Sequence, residues 1–183
     1  MTDFLRKNYI NSDNLDELLN FYPQTPRNVG QIPADWLDNI KVERKQAEKD
    51  VYLAIQMFCK SRNSRGLASR LSKALNKNVE VKRLESGEYG YGYLINIEGA
   101  KKTCLKVFKE TTRANDKYVA NVHGQYIEPQ TALFANEHYG EDFTRFYFGK
   151  IEQISAKPQD AFMVTEYEPV NLLTQEVVIT FYN

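Results

Sequence analysis

The chain is poor in the residues that build covalent or metal-held scaffolds. It has two cysteines, two histidines and one tryptophan in 183 residues. Cys59 and Cys104 each sit in an apolar run and are expected to be reduced core thiols, as in a reducing compartment. No CxxC or HxxxH spacing occurs among Cys59, Cys104, His123 and His138, so no zinc site is expected. Net charge is also missing, because 24 basic residues balance 24 acidic ones. The chain as a whole therefore has no pull toward nucleic acid or an anionic membrane, and any binding must be chosen locally. No window approaches the roughly 18 apolar residues of a membrane span, and MTDFLRKNYINSDN lacks an apolar stretch of signal-peptide length. A cytoplasmic protein is expected. What is abundant is aromatic: 12 Tyr and 10 Phe, most of them after residue 84, which places the expected core there.

The first 78 residues have helical periodicity. Leu15, Leu18, Leu19 and Tyr22 follow Ser12 and Asp13 at i, i+3, i+4 and i+7, and Pro23 and Pro26 end that segment. A second helix is expected from Pro33 through Trp36, Leu37, Ile40, Ala47, Val51, Ala54, Ile55 and Phe58. A third covers GLASRLSKALN, with Leu67, Leu71, Ala74 and Leu75 on one face. Between residues 60 and 83 stand eight bases (Lys60, Arg62, Arg65, Arg70, Lys73, Lys77, Lys82 and Arg83) against one acid, Glu80. That stretch is either a solvated helix face or a docking patch for phosphates or an acidic protein partner.

At Val79 the period changes to two. VEVKRLE, SGEYGYGYLINI and, after the turn GAKK, TCLKVF predict an antiparallel meander. A polar loop over 110–125 leads to a short helix near TALFANEH. FTRFYFGKIEQI and DAFMVTEY then predict two more strands around SAKPQ. The fold class is thus α+β: a helical N-terminal region (1–78), a five-stranded antiparallel sheet with one packed helix (79–170), and a short continuation (171–183).

In the second strand Tyr89, Tyr91, Tyr93, Ile95 and Ile97 alternate with Gly90, Gly92, Leu94 and Asn96, so the rings share one face and the other is nearly bare backbone. Such a face either lets backbone N–H groups approach a phosphate or merely serves a bulge or tight bend. In the third strand Lys106 lies between Leu105 and Val107 and shares a face with Cys104 and Phe108. A lysine with apolar flanks needs an anion, either a phosphate under the glycine hairpin or a carboxylate from the following helix, unless it is an edge lysine that deters aggregation.

SGEYGYGYLINI, TCLKVF, a helix and two strands ending in FMVTEYEP together resemble the small lobe of a eukaryotic-like protein kinase. The resemblance covers roughly residues 79–170. It implies a glycine-rich loop over ATP, with Gly87 and Gly92 as its first and third glycines, Tyr89 where the second is usual, and Gly90 between them. It further implies an apolar adenine sandwich from Leu94 and Cys104, Lys106 as the phosphate-binding lysine, Thr165 as gatekeeper, and a hinge at Glu166, Tyr167 and Glu168. The helix glutamate that pairs with Lys106 is Glu128, 22 positions on and confined to a helix start by Pro129, or else Glu137 near the helix end. The closer likeness, to the abbreviated effector kinases that bacterial pathogens inject into host cells, implies virulence and secretion into a host cell.

The family's large lobe brings a His-Arg-Asp loop, an Asn and an Asp-Phe-Gly that holds magnesium. None of these tracts occurs here, and PVNLLTQEVVITFYN is all that follows Glu168. The chain is therefore expected to be a fragment, a half-kinase completed by a partner, or a degenerate pseudokinase-like interaction module without nucleotide binding. The cofactor implied is ATP, with magnesium only where a large lobe is supplied. No metal ligands are assigned, and no RNA-recognition signature is present that would point to nucleic acid.

Overall fold

A computed structural model of the chain describes residues 26–86, 90–108, 128–139, 144–151 and 160–167. The elements run β1 (Arg27–Gly30), a 3-10 turn (Ala34–Trp36), α1 (Arg44–Ser61), α2 (Ser64–Leu75), β2 (Val79–Ser86), β3 (Gly90–Ile97), β4 (Thr103–Phe108), α3 (Glu128–Tyr139), β5 (Phe146–Ile151) and β6 (Phe162–Glu166). All strand pairs are antiparallel, in the order β1-β5-β6-β4-β3-β2. The α+β class and the meander β2–β3–β4 follow the change of period at Val79.

The sheet has six strands rather than five. The additional one, β1, lies in the region expected to be helical, and it pairs with β5 with Val29 opposite Gly149 and Gly30 opposite Phe148. Its last residue can only be glycine. Gly30 has φ +72°, and a Cβ there would stand 2.1 Å from the Tyr147 carbonyl oxygen.

The long helix expected from Pro33 is also corrected. Pro33 is extended, with ψ 139°. A single 3-10 turn follows, and Asn39 at φ 62° breaks the backbone before any helix can propagate. The spacing of Trp36, Leu37 and Ile40 comes from a turn that drops fully buried Trp36 into the core. The α-helix begins only at Arg44, and from there Ala47, Val51, Ala54, Ile55, Phe58 and Cys59 form its buried stripe. Arg62 in the left-handed region ends it, with its N–H donating to the Phe58 carbonyl at 2.8 Å. α2 restarts one residue later because the Asn63 side chain accepts the Gly66 N–H at 3.0 Å.

The two faces of the sheet are covered differently. Tyr93, Ile95 and Ile97 of β3, Leu105 and Val107 of β4, Phe148 of β5, and Phe162 and Val164 of β6 share one buried cluster with α1, α2 and the Trp36 turn. Phe58 meets Tyr93 edge-on at 4.7 Å between centroids, and Trp36 meets Phe148 at 5.6 Å. On the opposite face a smaller cluster joins Val29, Phe146 and Ile151 to Ala132 and Leu133 of α3 and to Met163. Gly149 permits close strand packing there, since a Cβ would lie 2.6 Å from the Phe162 carbonyl oxygen.

Candidate functional site

The face shared with α3 carries the candidate site. Strand alternation puts the tyrosines and isoleucines of β3 under the helices, so Gly90, Gly92 and Leu94 face the other way. Register then aligns two rows across the sheet. Gly92 lies opposite Lys106, which lies opposite Met163, while Leu94 lies opposite Cys104, which lies opposite Thr165. All of these side chains are half-buried, in contrast to the fully buried residues on the helical face.

Lys106 donates a short hydrogen bond and ion pair from Nζ to Oε1 of Glu128, the first residue of α3. The side chains are 29% and 21% exposed, so the pair is neither a solvated surface contact nor a sealed one. Two neighbours favour the arrangement. The Lys106 ammonium stands 5.5 Å from the centroid of the Phe108 ring. The Glu128 carboxylate occupies a helix first turn, where the dipole stabilises negative charge. Pro129 follows at a position whose N–H no helix needs, which is why a helix can start at Glu128. Glu137 is elsewhere. It lines an open groove of about 500 Å³ between β1 and α3, with Arg27, Asn28 and Phe134, separated from β4 by β5 and β6.

The bare face of β3 has an immediate use. A Cβ at Gly90 would come within 3.0 Å of the Val107 carbonyl oxygen and 3.1 Å of Lys106 Cε. Glycine at this position clears space for the Lys106 side chain itself. Gly87 and Tyr89, the other carried-over loop residues, lie outside the described residues, as do Glu168, the segment around Leu15–Tyr22 and residues 171–183.

At the end of β6, Thr165 faces the candidate site and Glu166 faces the helices. The Glu166 N–H donates to the Arg145 carbonyl at 2.8 Å, and that of Tyr167 to Lys102 at 3.0 Å. Lys101 Nζ pairs with Glu166 Oε1 at 2.8 Å, and its own backbone N–H donates to Asp35 Oδ2 at 3.0 Å. The hydrogen bond to Glu166 pushes the Lys101 ammonium pKa up. This brace between the Trp36 turn, the β3–β4 turn and the end of β6 joins residues 65 and 66 positions apart, and no local pattern announces it.

Cys104 lies between Leu94 and Thr165, and burial pushes its thiol pKa up. Cys59 belongs to the helical core, where burial pushes its thiol to about 12. Among the described residues no three His, Cys, Asp or Glu side chains come together in a way that could hold a metal ion. No helix among them is long and apolar enough to cross a membrane. Comparison with models of protein families, with curated proteins and with solved structures finds no match.

Proposed function

We propose that residues 79–170 act as the nucleotide-binding small lobe of a protein kinase-like phosphotransferase, with the metal ligands and catalytic base supplied from outside this chain's 183 residues. The observation that carries this reading is the ion pair between Lys106 on β4 and Glu128 at the start of α3. Kinases require such a strand lysine held by a helix glutamate to place the lysine on the nucleotide phosphates. In this reading Leu94 and Cys104 lie against the base, Thr165 limits the depth of its pocket, the backbone at Glu166 and Glu168 borders its edge, and Gly87, Gly90 and Gly92 pass over the phosphates. Lys106 holds the charge on those phosphates. The likeness to effector kinases makes the same reading one of an injected virulence factor acting inside a host cell.

A second reading, a pseudokinase-like interaction module without nucleotide, is favoured by Gly90, whose missing Cβ is already accounted for by Lys106. Calorimetric titration with ATP and magnesium separates the two. In the chain alone the described residues offer one wall of a pocket, whereas good small-molecule sites bury about 70–90% of their ligand. It should therefore bind ATP weakly or not at all, and bind measurably once a kinase large lobe is added in cis or in trans, with Lys106→Ala abolishing the gain. Low-micromolar binding to the chain alone that survives Lys106→Ala would refute the nucleotide reading as stated, and no binding with any large lobe would leave the interaction module.

A further inference from the structure

The eight bases of residues 60–83 divide by what they touch. Lys60 pairs with Asp160 at 3.1 Å, Lys77 donates to the Asp35 carbonyl, and Arg62 donates to the Phe108 carbonyl at 2.9 Å. The other five, Arg65, Arg70, Lys73, Lys82 and Arg83, are exposed. None of them forms an ion pair with a carboxylate among the described residues. α2 contains no acidic residue, and its outward arc holds Arg65, Ser69, Arg70 and Lys73 above the buried Leu67, Leu71, Ala74 and Leu75. By contrast α1 pairs Arg44 with Glu48 within the helix, and its Asp50 accepts a hydrogen bond from Gln46.

α2 also lies along a strand edge. Arg62, just before α2, and Arg83, toward the far end of β2, approach the same Tyr91 ring at 5.5 and 5.0 Å. Helix and strand therefore run antiparallel, and the α2 cations follow the length of β2. That strand is last in the sheet and pairs only with β3 among the described residues. Lys82 and Arg83 project to opposite faces of the sheet at this edge strand.

We propose that this strip is a docking site for an acidic polypeptide segment that adds to the β2 edge in extended conformation, with its carboxylates against the α2 cations. Charge complementarity selects an anion, and guanidinium forks suit carboxylates. The unpaired strand edge selects a polypeptide, because only a backbone can continue a β-ladder. A lipid surface is disfavoured because none of the large exposed apolar side chains among the described residues, Val42, Leu53 and Met57, belongs to α2 or β2. Single-stranded nucleic acid is disfavoured because the one aromatic ring of the strip, Tyr91, is covered by the two arginines. β2 carries acids at positions 80 and 85, on either side of Lys82 and Arg83, so the carboxylates of the acidic segment belong against that central pair and the α2 cations. Arg83, opposite Tyr93, shares the helical face with α2, whereas Lys82, opposite Leu94, shares the candidate-site face, so the α2 variants test the strip apart from nucleotide binding.

The test uses the full chain and a synthetic peptide alternating Glu with Val, followed by fluorescence anisotropy. Binding should weaken about tenfold or more from low to half-molar salt. It should fall by about tenfold or more in the double variant R65E/K73E and in K82E, with circular dichroism unchanged because all three positions are exposed. The same peptide methylated on alternate backbone nitrogens should fail to bind, since it cannot extend the ladder. Absence of peptide binding, equal binding by the charge-reversed variants, equal binding by the methylated peptide, or tighter binding of a single-stranded oligonucleotide or of phosphatidylserine vesicles would each overturn the proposal.

Discussion

Replacing Lys106 by Met, Glu128 by Gln, and both together measures how strongly the lysine and the helix α3 are coupled. A fully exposed ion pair contributes about 0.2–1 kcal/mol, and breaking a fully buried one costs about 3–5 kcal/mol. At 29% and 21% exposure this pair falls between those limits. Lys106→Met leaves a carboxylate that keeps the helix dipole and a further interaction of its own, which argues for a loss of roughly 1–2 kcal/mol. Glu128→Gln leaves an ammonium against the Phe108 ring, a contact of about 0.5–1 kcal/mol, on a stem long enough to carry the charge toward water. Its cost should be near 1 kcal/mol. The double variant should lose less than the sum, giving a coupling energy of roughly 0.5–1.5 kcal/mol. Urea unfolding reads these values directly. In thermal scans each kcal/mol corresponds to about 2–4 °C for a domain of this size. A coupling energy under about 0.3 kcal/mol would mean that the two side chains act independently in solution, and both the ion pair and the site built on it would fall.

Two further outcomes test the packing. Gly149→Ala forces a Cβ to 2.6 Å from the Phe162 carbonyl oxygen, so β5 and β6 must part and about 1–3 kcal/mol should be lost, whereas a Cβ at Gly99 meets nothing within 4 Å and Gly99→Ala should cost only the strain of its positive φ; equal losses in urea unfolding would refute the close approach. Cys59, held near 12 when folded and about 9 when unfolded, ionises only in the unfolded chain as pH rises above 9, so stability should fall by about 1.4 kcal/mol per pH unit from that point toward 12, and Cys59→Ala should flatten the slope; a slope unchanged by the substitution would show that the thiol is not sealed in the core.

What the sequence made legible was whatever a local period controls. Alternation in GYGYLINI and TCLKVF sorted Tyr93, Ile95, Leu105 and Val107 from Gly92, Leu94, Cys104 and Lys106, and the two sets occupy opposite faces. The spacing of Lys106 to Glu128, with Pro129 marking a helix start, pointed to a pair that the structure contains. β1 was not legible because four residues, only one of them buried, carry no period, and their pairing depends on a free edge of β5 well over a hundred residues away. The Trp36 turn misled because Trp36, Leu37 and Ile40 have helical spacing, while the exposed Asn39 that prevents a helix is left-handed, a conformation that the apolar spacing does not signal. The Lys101–Glu166 brace had no sequence signal at all.

The unequal covering of the two faces sets what the site can do. Ile95, Leu105, Val107, Phe162 and Val164 are at most 1% exposed beneath α1 and α2. Leu94, Cys104, Met163 and Thr165 remain half-buried, and among the described residues α3 reaches their face at Phe146, Ile151 and Met163 and, through Glu128, at Lys106. A body that covers the remainder, whether a large lobe or a protein partner, would remove water from Lys106 and Glu128. Lower effective dielectric strengthens their attraction and raises the cost of losing either charge, from the range of a part-exposed pair toward that of a buried one. The difference between the Lys106→Met penalty in the free chain and in the covered one is therefore a direct measure of how far the partner closes over the pair. A closing partner should raise that penalty by roughly 1–3 kcal/mol, seen as a loss of partner affinity in the variant of about five- to 150-fold. A partner that binds wild type and Lys106→Met equally well must sit elsewhere on the molecule, and the face with the glycines and the lysine would then not be the surface that a second lobe completes.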